Sequence, residues 1–273
     1  MPELPEVEAA RRGVELVALG KHIVTARATV RRITHPSLSS FAARLRGKQI
    51  MAAERSGKFL ILHLKPQTFL VLHFGMTGWL QWASQNGERP RHTRAVLRLE
   101  DGSELRFVDV RTLGGLWTVN DLNEVQLLTT MGPDALSNFF SLEYLKATLS
   151  QRTVAIKTAL LNQRIVGGIG NIYADEILWR ARVHPAVASG HLGNMECDQI
   201  VRATRQVLQL ACKRGGGVEG QGDFWDLFGS PGTYQPKVSR REDKPCPHCK
   251  TPIERIIVGG RASHFCPVCQ PCG

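Results

Sequence analysis

The chain has 273 residues, of which 42% are hydrophobic, and it carries 35 Lys and Arg against 24 Asp and Glu, a formal net charge of +11. This length and apolar content suffice for two domains with buried cores. No apolar run approaches membrane-spanning length and no signal peptide is visible, so a soluble cytosolic protein is expected. The positive charge favours a polyanionic partner, most simply nucleic acid, although a merely basic enzyme would carry a similar charge.

The first predicted element is an amphipathic helix over residues 5–19. Pro5 suits the first helical position, acidic residues follow it at the positive end of the helix, and Gly20 is a suitable stop. Apolar residues recur at helical spacing on one face, namely Val7, Ala10, Val14, Val17 and Ala18.

Short β-type runs replace the helical pattern from about residue 22 to residue 119. The clearest runs lie at 59–62, 69–72, 95–97 and 116–119, with turn-rich pieces between them. This spacing is typical of a β-sandwich. Because no long helix interrupts the runs, a parallel α/β topology is not expected.

A break at residues 131–134, Met-Gly-Pro-Asp, predicts a domain boundary before a helical region. Helices are predicted at 141–149, 153–161, 171–181 and 195–213, with Asn171 and Asn194 as N-caps. The glycine-rich turn at 166–171 lacks the Lys-Ser/Thr of a P-loop, so nucleotide binding is rejected. That turn either lets backbone N–H groups approach a phosphate or simply joins two helices.

Residues 214–236 contain seven glycines and predict a mobile loop before the C-terminal segment. The predicted organisation is therefore an N-terminal β-sandwich domain over 1–133, a helical domain with this loop over 134–236, and a C-terminal hairpin over 237–273. The predicted fold class is α+β.

The C-terminal segment carries two Cys-x-x-Cys pairs separated by sixteen residues, formed by Cys246, Cys249, Cys266 and Cys269. This spacing predicts one structural Zn²⁺ held by four thiolates, with no open position for a substrate. Two disulfides are the alternative, which is disfavoured because no secretory signal is visible. The run Ile256-Ile257-Val258-Gly259-Gly260-Arg261 predicts a hairpin with Arg261 at its tip.

Ordered motifs along the whole chain resemble the formamidopyrimidine-DNA glycosylase family. Besides the four cysteines they are Met1-Pro-Glu-Leu-Pro-Glu-Val-Glu8, Arg55-Ser-Gly-Lys58, His73-Phe-Gly-Met-Thr-Gly78, Ile169-Gly-Asn-Ile-Tyr-Ala-Asp-Glu176 and Arg261-Ala-Ser-His-Phe265. The resemblance implies a β-sandwich domain, a helix–two-turn–helix domain and a zinc finger. It also implies a monomeric repair enzyme of the bacterial cytosol that acts on damaged double-stranded DNA. Such an enzyme excises oxidised purines, namely formamidopyrimidine and 8-oxoguanine, and then cleaves the abasic site by β,δ-elimination.

The same resemblance implies four catalytic residues at and near the N-terminus. Removal of Met1 would expose the secondary amine of Pro2 as the nucleophile. An α-amino group titrates near pH ~8, against ~10.4 for lysine, so far more of it is neutral at pH 7. Glu3 matches the general acid that protonates the sugar ring oxygen. Glu6 matches a supporting carboxylate, and Lys58 matches a lysine that reaches the sugar and phosphate.

The resemblance further implies a set of DNA contacts. The residues that would contact phosphates around the extruded nucleotide are His73, Lys157, Asn171 and Arg261. The space that the base vacates would be filled by Met76 and Arg111, with Leu113 beside them and His92 as a further DNA contact.

The chain departs from the family pattern at three places. Leu113 stands where the family usually has Phe, and Arg214-Gly-Gly-Gly-Val-Glu219 stands where Ser/Thr-Thr usually follows Gly-Gly. Ser239-Arg-Arg241 replaces the usual Tyr-Gly-Arg before the first cysteine pair. Because the second of these segments closes over the damaged base in relatives, reading of 8-oxoguanine should be weakened more than capture of the sugar.

Two alternative functions remain open besides that of an oxidised-purine glycosylase. One is an endonuclease VIII-like enzyme that prefers oxidised pyrimidines or bare abasic sites, and the other is a catalytically silent damage-binding protein. Leu4 argues against the first, since those relatives usually carry Gly there. Intact Pro2, Glu3 and Lys58 argue against the second.

Overall fold

The computed structural model describes residues 1–84, 87–217 and 225–272. Its contacts divide the chain into two compact units, Met1–Thr130 with Arg214–Thr233 and Met131–Lys213 with Tyr234–Gly273. The segment after the long helix therefore groups with the first unit, whereas the sequence pattern predicted that it belongs to the helical domain. Within the described residues, no helix combines the length and the apolarity that crossing a membrane requires.

The first unit begins with helix α1 (Leu4–Ala18), which starts one residue earlier than predicted. Pro5 therefore occupies the second helical position instead of the first. Glu3 is the N-cap residue, and the Glu6 carboxylate reaches back to accept from its backbone N–H at 2.8 Å. This bond satisfies one of the donors that a helix start leaves without an intrahelical partner.

Among the described residues of the first unit, nine strands and two short α-helices follow. In chain order they are β1 (Ile23–Ala28), β2 (Thr34–His35), α2 (Leu38–Leu45), β3 (Gln49–Ser56), β4 (Phe59–Lys65), β5 (Thr68–His73), β6 (Gly78–Ala83), β7 (Thr93–Leu99), β8 (Glu104–Asp109), β9 (Gly115–Val119) and α3 (Gln126–Thr129). All four of the β-runs singled out in the sequence lie within strands. The sandwich expected from their spacing is confirmed.

The strands form two sheets. The four-stranded sheet has the order β1-β7-β8-β6, and the five-stranded sheet has the order β2-β9-β5-β4-β3. All pairs are antiparallel except the short β2–β9 pair. One hydrophobic core joins buried side chains from both sheets with those of α1 and α2, including Val14, Phe41, Leu62 and Leu97.

The segment 214–236 was expected to be a mobile loop, and its described parts are instead anchored. Leu227 is fully buried in the core of the first unit. Its carbonyl accepts a hydrogen bond of 2.8 Å from the Trp82 backbone N–H. Gly13 of α1 allows this close packing, since a Cβ built there would lie 2.6 Å from Leu227 Cβ.

The second unit contains helices α4 (Leu142–Leu149), α5 (Ile156–Leu161), α6 (Asn171–Ala181) and α7 (Asn194–Lys213), followed by strands β10 (Glu254–Val258) and β11 (Arg261–Phe265). Both capping predictions are wrong, because Asn171 and Asn194 are the first helical residues of α6 and α7. Gly170 is the N-cap of α6, and Asn171 is its first helical residue, so the Asn171 side chain is available for a tertiary contact. The helix predicted from residue 153 begins at Ile156.

The predicted hairpin is confirmed. β10 and β11 pair in an antiparallel register with Val258 opposite Arg261. Gly259 and Gly260 both have positive φ, +55° and +74°. Two consecutive residues with positive φ make the tight turn whose twist matches that of the flanking strands. Arg261 is exposed at the tip.

A buried carboxylate on α6 anchors the chain that leads into the hairpin. Glu176 is 1% exposed and accepts hydrogen bonds from the Tyr234 hydroxyl at 3.0 Å and the Lys237 N–H at 2.7 Å. It also accepts from the N–H groups of Val238 and Ser239. Four donors compensate much of the cost of removing this carboxylate from water.

Candidate functional site

The N-terminal residues with implied catalytic roles are buried together at the start of α1. Pro2 is buried, and Glu3 and Glu6 are 2% and 4% exposed. Carboxyl groups this deeply buried need hydrogen-bond partners. Met1, in contrast, is 44% exposed.

Glu6 connects this N-terminus to the glycine-rich segment after the long helix. One carboxylate oxygen accepts from the Glu3 N–H at 2.8 Å, and the other accepts from the Gly217 N–H at 2.7 Å. Gly216 has a φ of +88°, and a Cβ there would lie 2.7 Å from Glu6 Oε1. Glycine is therefore required at this position. Residues 218–224, which include the altered Val218 and Glu219, lie outside the described residues.

Lys58 and His73 lie at the same end of the neighbouring strands β4 and β5. Lys58 immediately precedes β4 and is 6% exposed, while β4 and β5 pair Phe59 with His73. His73 Nδ1 accepts from the Gly75 N–H at 3.2 Å, which leaves the ring proton on Nε2. Burial, with the nearby charge of Lys58 as a second cause, lowers the pKa of His73 to about 4. At neutral pH His73 is therefore an uncharged hydrogen-bond donor.

Acidification should destabilise the protein partly through His73, because its native pKa lies near 4 against an ordinary value of 6.5. The unfolded chain binds the proton more tightly, so this part of the stability is complete above pH 6.5 and is lost as the pH falls towards 4. At pH 5 the expected loss is about 2 kcal/mol. Urea unfolding at pH 7.5 and pH 5 should show a smaller loss for His73→Gln than for the wild type. Equal losses in the two proteins would contradict the buried neutral imidazole.

Asp109 holds together the two loops that carry Met76, Arg111 and Leu113. It is fully buried, and its Oδ1 accepts from Thr77 Oγ1 at 2.6 Å while its Oδ2 accepts from the Gly114 N–H at 2.9 Å. Thr77 Oγ1 also accepts from the Arg111 N–H at 3.0 Å. Met76, Arg111 and Leu113, which were expected at the space that the base vacates, are all exposed. The exposed fraction is 41% for Met76 and 46% for Leu113.

The Arg32 side chain also supports this pair of loops. Arg32 donates to the backbone carbonyls of Thr112 and Arg111 at 2.9 and 2.7 Å. The half-buried His92 lies close by, because its carbonyl accepts from the Asp109 N–H at 3.0 Å. Neither Asp109 nor Arg32 was expected to have a role from the sequence. The sequence offered one signal for Asp109, which is its position just before the loop that carries Arg111 and Leu113.

In the second unit, the residues expected to contact phosphates converge on the hairpin. Arg261 is exposed at its tip, and Asn171 Nδ2 donates to the Ala262 carbonyl at 3.1 Å. Lys157, which was expected to contact a phosphate, is fully buried. Its ammonium group donates to the Ala262 carbonyl at 2.6 Å and forms an ion pair with Asp175. The Lys157 ammonium therefore has protein partners on two sides.

The four predicted metal ligands are brought together. Their sulfur atoms all lie within 4.8 Å of one another, with Cys249 Sγ 3.3 Å from Cys266 Sγ and 3.5 Å from Cys269 Sγ. None of the four forms a disulfide. Tetrahedral Zn²⁺ with Zn–S bonds of about 2.3 Å places its sulfurs roughly 3.8 Å apart, so this donor set fits one structural zinc ion.

Three family models match successive parts of the chain. They are the formamidopyrimidine-DNA glycosylase N-terminal domain over residues 1–116, the formamidopyrimidine-DNA glycosylase H2TH domain over 131–221, and the zinc finger found in FPG and IleRS over 243–271. Among curated proteins, the chain is 38% identical to a formamidopyrimidine-DNA glycosylase of Synechocystis, with 99% of each sequence covered. It is 40% identical to that of Thermus thermophilus over 99% of this chain and 98% of the relative.

Solved structures agree with these matches over the whole chain. The crystal structure of the MutM (Fpg) protein from Thermus thermophilus superposes with a TM-score of 0.90 at 38% identity, and all of each chain is covered. A mutant Fpg of Lactococcus lactis in complex with DNA containing Fapy-dG gives a TM-score of 0.92 at 31% identity. That match covers 99% of this chain and 100% of the other.

Proposed function

The chain belongs to the formamidopyrimidine-DNA glycosylase family, and from that premise we propose that it is a DNA glycosylase with abasic-site lyase activity in base excision repair. Its substrates are oxidised purines, formamidopyrimidine and 8-oxoguanine, in double-stranded DNA. The observation that carries this proposal is the buried N-terminal group of Pro2, Glu3 and Glu6 at the start of α1. A damage-binding protein without catalysis would need no such group.

The proposed reaction begins once the damaged nucleotide has left the base stack. The neutral Pro2 nitrogen attacks the anomeric carbon of the sugar, and the base leaves with the electron pair of its bond to that carbon and takes up a proton from solvent. The proton on the attacking nitrogen is lost as the sugar ring opens. Glu3 supplies a proton to the ring oxygen as the sugar opens. The product is an iminium ion that stays cationic because Pro2 is a secondary amine. This cation withdraws electrons, so the two phosphates leave by successive β- and δ-elimination.

The other site residues would bind and orient the DNA. Lys58 would reach the sugar and phosphate, and neutral His73 would donate a hydrogen bond to a phosphate oxygen through Nε2. Met76, Arg111 and Leu113 would occupy the space of the extruded base, on loops that Asp109 holds in place. Zn²⁺ at the four cysteines would brace the hairpin that presents Arg261. We place the enzyme in the cytosol as a monomer.

Borohydride trapping on a panel of duplexes tests this function. The panel contains formamidopyrimidine, 8-oxoguanine, an oxidised pyrimidine and a bare abasic site. A covalent protein–DNA product separates an enzyme from a binding protein, and the relative rates rank the lesions. Binding without any trapped product would favour a silent damage-binding protein, and fastest trapping on the oxidised pyrimidine would favour the endonuclease VIII-like alternative.

Lesion choice should be shifted away from 8-oxoguanine. Leu113 is exposed on its loop but has no ring to stack on neighbouring bases, a contact worth ~1–3 kcal/mol where it is made. We expect abasic sites and formamidopyrimidine to be processed well relative to 8-oxoguanine opposite cytosine. Leu113→Phe should raise single-turnover excision of 8-oxoguanine by about tenfold.

The matched control for this variant is Leu127→Phe, which adds a ring at another exposed leucine of the same unit. It should leave excision unchanged. If wild-type 8-oxoguanine excision already equals that of formamidopyrimidine and Leu113→Phe brings no gain, the missing ring does not limit lesion choice.

A further inference from the structure

The buried pair Asp175 and His264 has no part in the proposed chemistry. We propose that these two residues, together with Lys157, position Arg261 for its contact with the DNA backbone. They are positioning residues and do not touch the substrate. This inference rests on the proposed function, because it assigns their role in the binding of DNA by that enzyme.

The three side chains form one buried charged cluster. Lys157 and Asp175 are 0% and 1% exposed, and His264 is 6% exposed. Asp175 Oδ1 lies 2.6 Å from Lys157 Nζ, and Asp175 Oδ2 lies 3.2 Å from His264 Nδ1. The carboxylate therefore bridges a lysine on α5 and a histidine on β11. A lysine buried in this way is stable as a cation only beside such a partner.

The cluster acts on the residue next to Arg261. The Ala262 carbonyl accepts from Lys157 Nζ at 2.6 Å and from Asn171 Nδ2 at 3.1 Å. Two donors from two helices thus hold the carbonyl of the residue that follows the tip residue. A charged donor makes a hydrogen bond about twice as strong as a neutral donor does. Lys157 therefore contributes to DNA binding by holding the backbone that carries Arg261.

The turn of the hairpin is held at a second point. A Cβ built on Gly259 would lie 2.4 Å from Thr158 Oγ1, so the turn lies directly against α5. With Ala262 and Gly259 both held, the backbone on either side of Arg261 has little freedom. The guanidinium can then meet a phosphate without the cost of ordering the loop that carries it.

Removal of the Asp175 charge should release this arrangement. In Asp175→Asn the Lys157 ammonium would be buried without its counter-ion, so it would lose its proton or move towards solvent. Either change weakens its bond to the Ala262 carbonyl. Arg261 would remain in the protein, but its position would no longer be fixed.

The test is a double-mutant cycle in which DNA affinity is measured at several salt concentrations. The probe is a duplex that contains a tetrahydrofuran analogue of an abasic site, which the enzyme cannot cleave. Arg261→Ala should lower the slope of log affinity against log salt by about 0.9, the value for one phosphate contact. Asp175→Asn should weaken binding about tenfold and lower the slope by part of that amount. In the Arg261→Ala background, Asp175→Asn should change the affinity less than about twofold.

Two further variants separate positioning from general stability. Glu176→Gln alters the neighbouring buried carboxylate, which holds residues 237–239 and not the tip, so its effect should add to that of Arg261→Ala. Lys157→Met with Asp175→Asn removes both charges and the bond to Ala262. It should fold with bound zinc and still bind DNA about tenfold more weakly.

Equal weakening by Asp175→Asn with and without Arg261 would overturn the proposal, as would wild-type affinity in the charge-neutral double variant. If Asp175→Asn does not fold, the charge-neutral variant and His264→Gln are compared in the same cycle.

Failure of the proposed function would look different, because wild-type protein would then show no preference for the abasic analogue over undamaged duplex and no trapping on a natural abasic site.

Discussion

Replacing Pro2 with Gly is expected to lower the yield of borohydride-trapped complex by about 100-fold while leaving DNA binding nearly intact. The reason is the special property of the ring nitrogen. A secondary amine gives an iminium ion with no proton on its nitrogen, so it stays cationic until a carbon-bound proton is removed in the elimination. A primary amine gives an iminium ion whose nitrogen can lose its proton and become a neutral imine, which borohydride reduces less readily. Elimination of the phosphates depends on the positive charge.

The control for this variant is Pro5→Ala, which changes another buried proline of the same N-terminal segment. It should reduce trapping only through stability. Mass spectrometry of the trapped wild-type complex should place the cross-link on the peptide that begins with Pro2. A cross-link on Lys58, or equal trapping by Pro2→Gly, would show that another amine is the nucleophile.

Cys249→Ser is expected to reduce bound zinc towards zero and to weaken DNA binding by about 100-fold. Zinc binding to four thiolates supplies roughly 10–16 kcal/mol in small zinc domains, and there this is folding free energy. The core beside the metal ligands is small, since Val238 and Ile253 are its buried members besides Cys246 and Cys266. Without the metal, the hairpin that presents Arg261 would lose most of its support.

Cys272→Ser is the matched control, because this exposed cysteine lies near Cys269 in the sequence but is not one of the four clustered thiols. It should retain zinc and activity. Metal content is measured by atomic emission and DNA affinity on the tetrahydrofuran duplex. A metal-free Cys249→Ser protein with wild-type affinity would show that the metal does not organise the DNA contact.

Local patterns were sufficient to predict the longer elements and the metal cluster, but not the short helix α2 within the β region. The β-runs, the long helices and the hairpin over 254–265 follow from periodicity, from turn residues and from the two cysteine pairs. Each of these signals is contained within a few neighbouring residues, so a sequence displays it directly. The α+β fold and the family resemblance could therefore be predicted from the order of residues alone, and both are confirmed. The roles of the individual site residues stay predictions.

Tertiary structure alone decided how the buried polar groups are paired. Glu6 bonds to Gly217 across 211 positions, Lys157 bonds to Ala262 across 105, and Asp109 bonds to Thr77 across 32. A sequence shows that a lysine or carboxylate is present but not whether water or protein will solvate it. That choice depends on which distant donors the folded chain brings within about 3 Å, since a buried charge is tolerated only beside a partner. For this reason Lys157 could be expected at a phosphate from its motif, and only the folded structure shows its ammonium group donating to the Ala262 carbonyl beside Arg261.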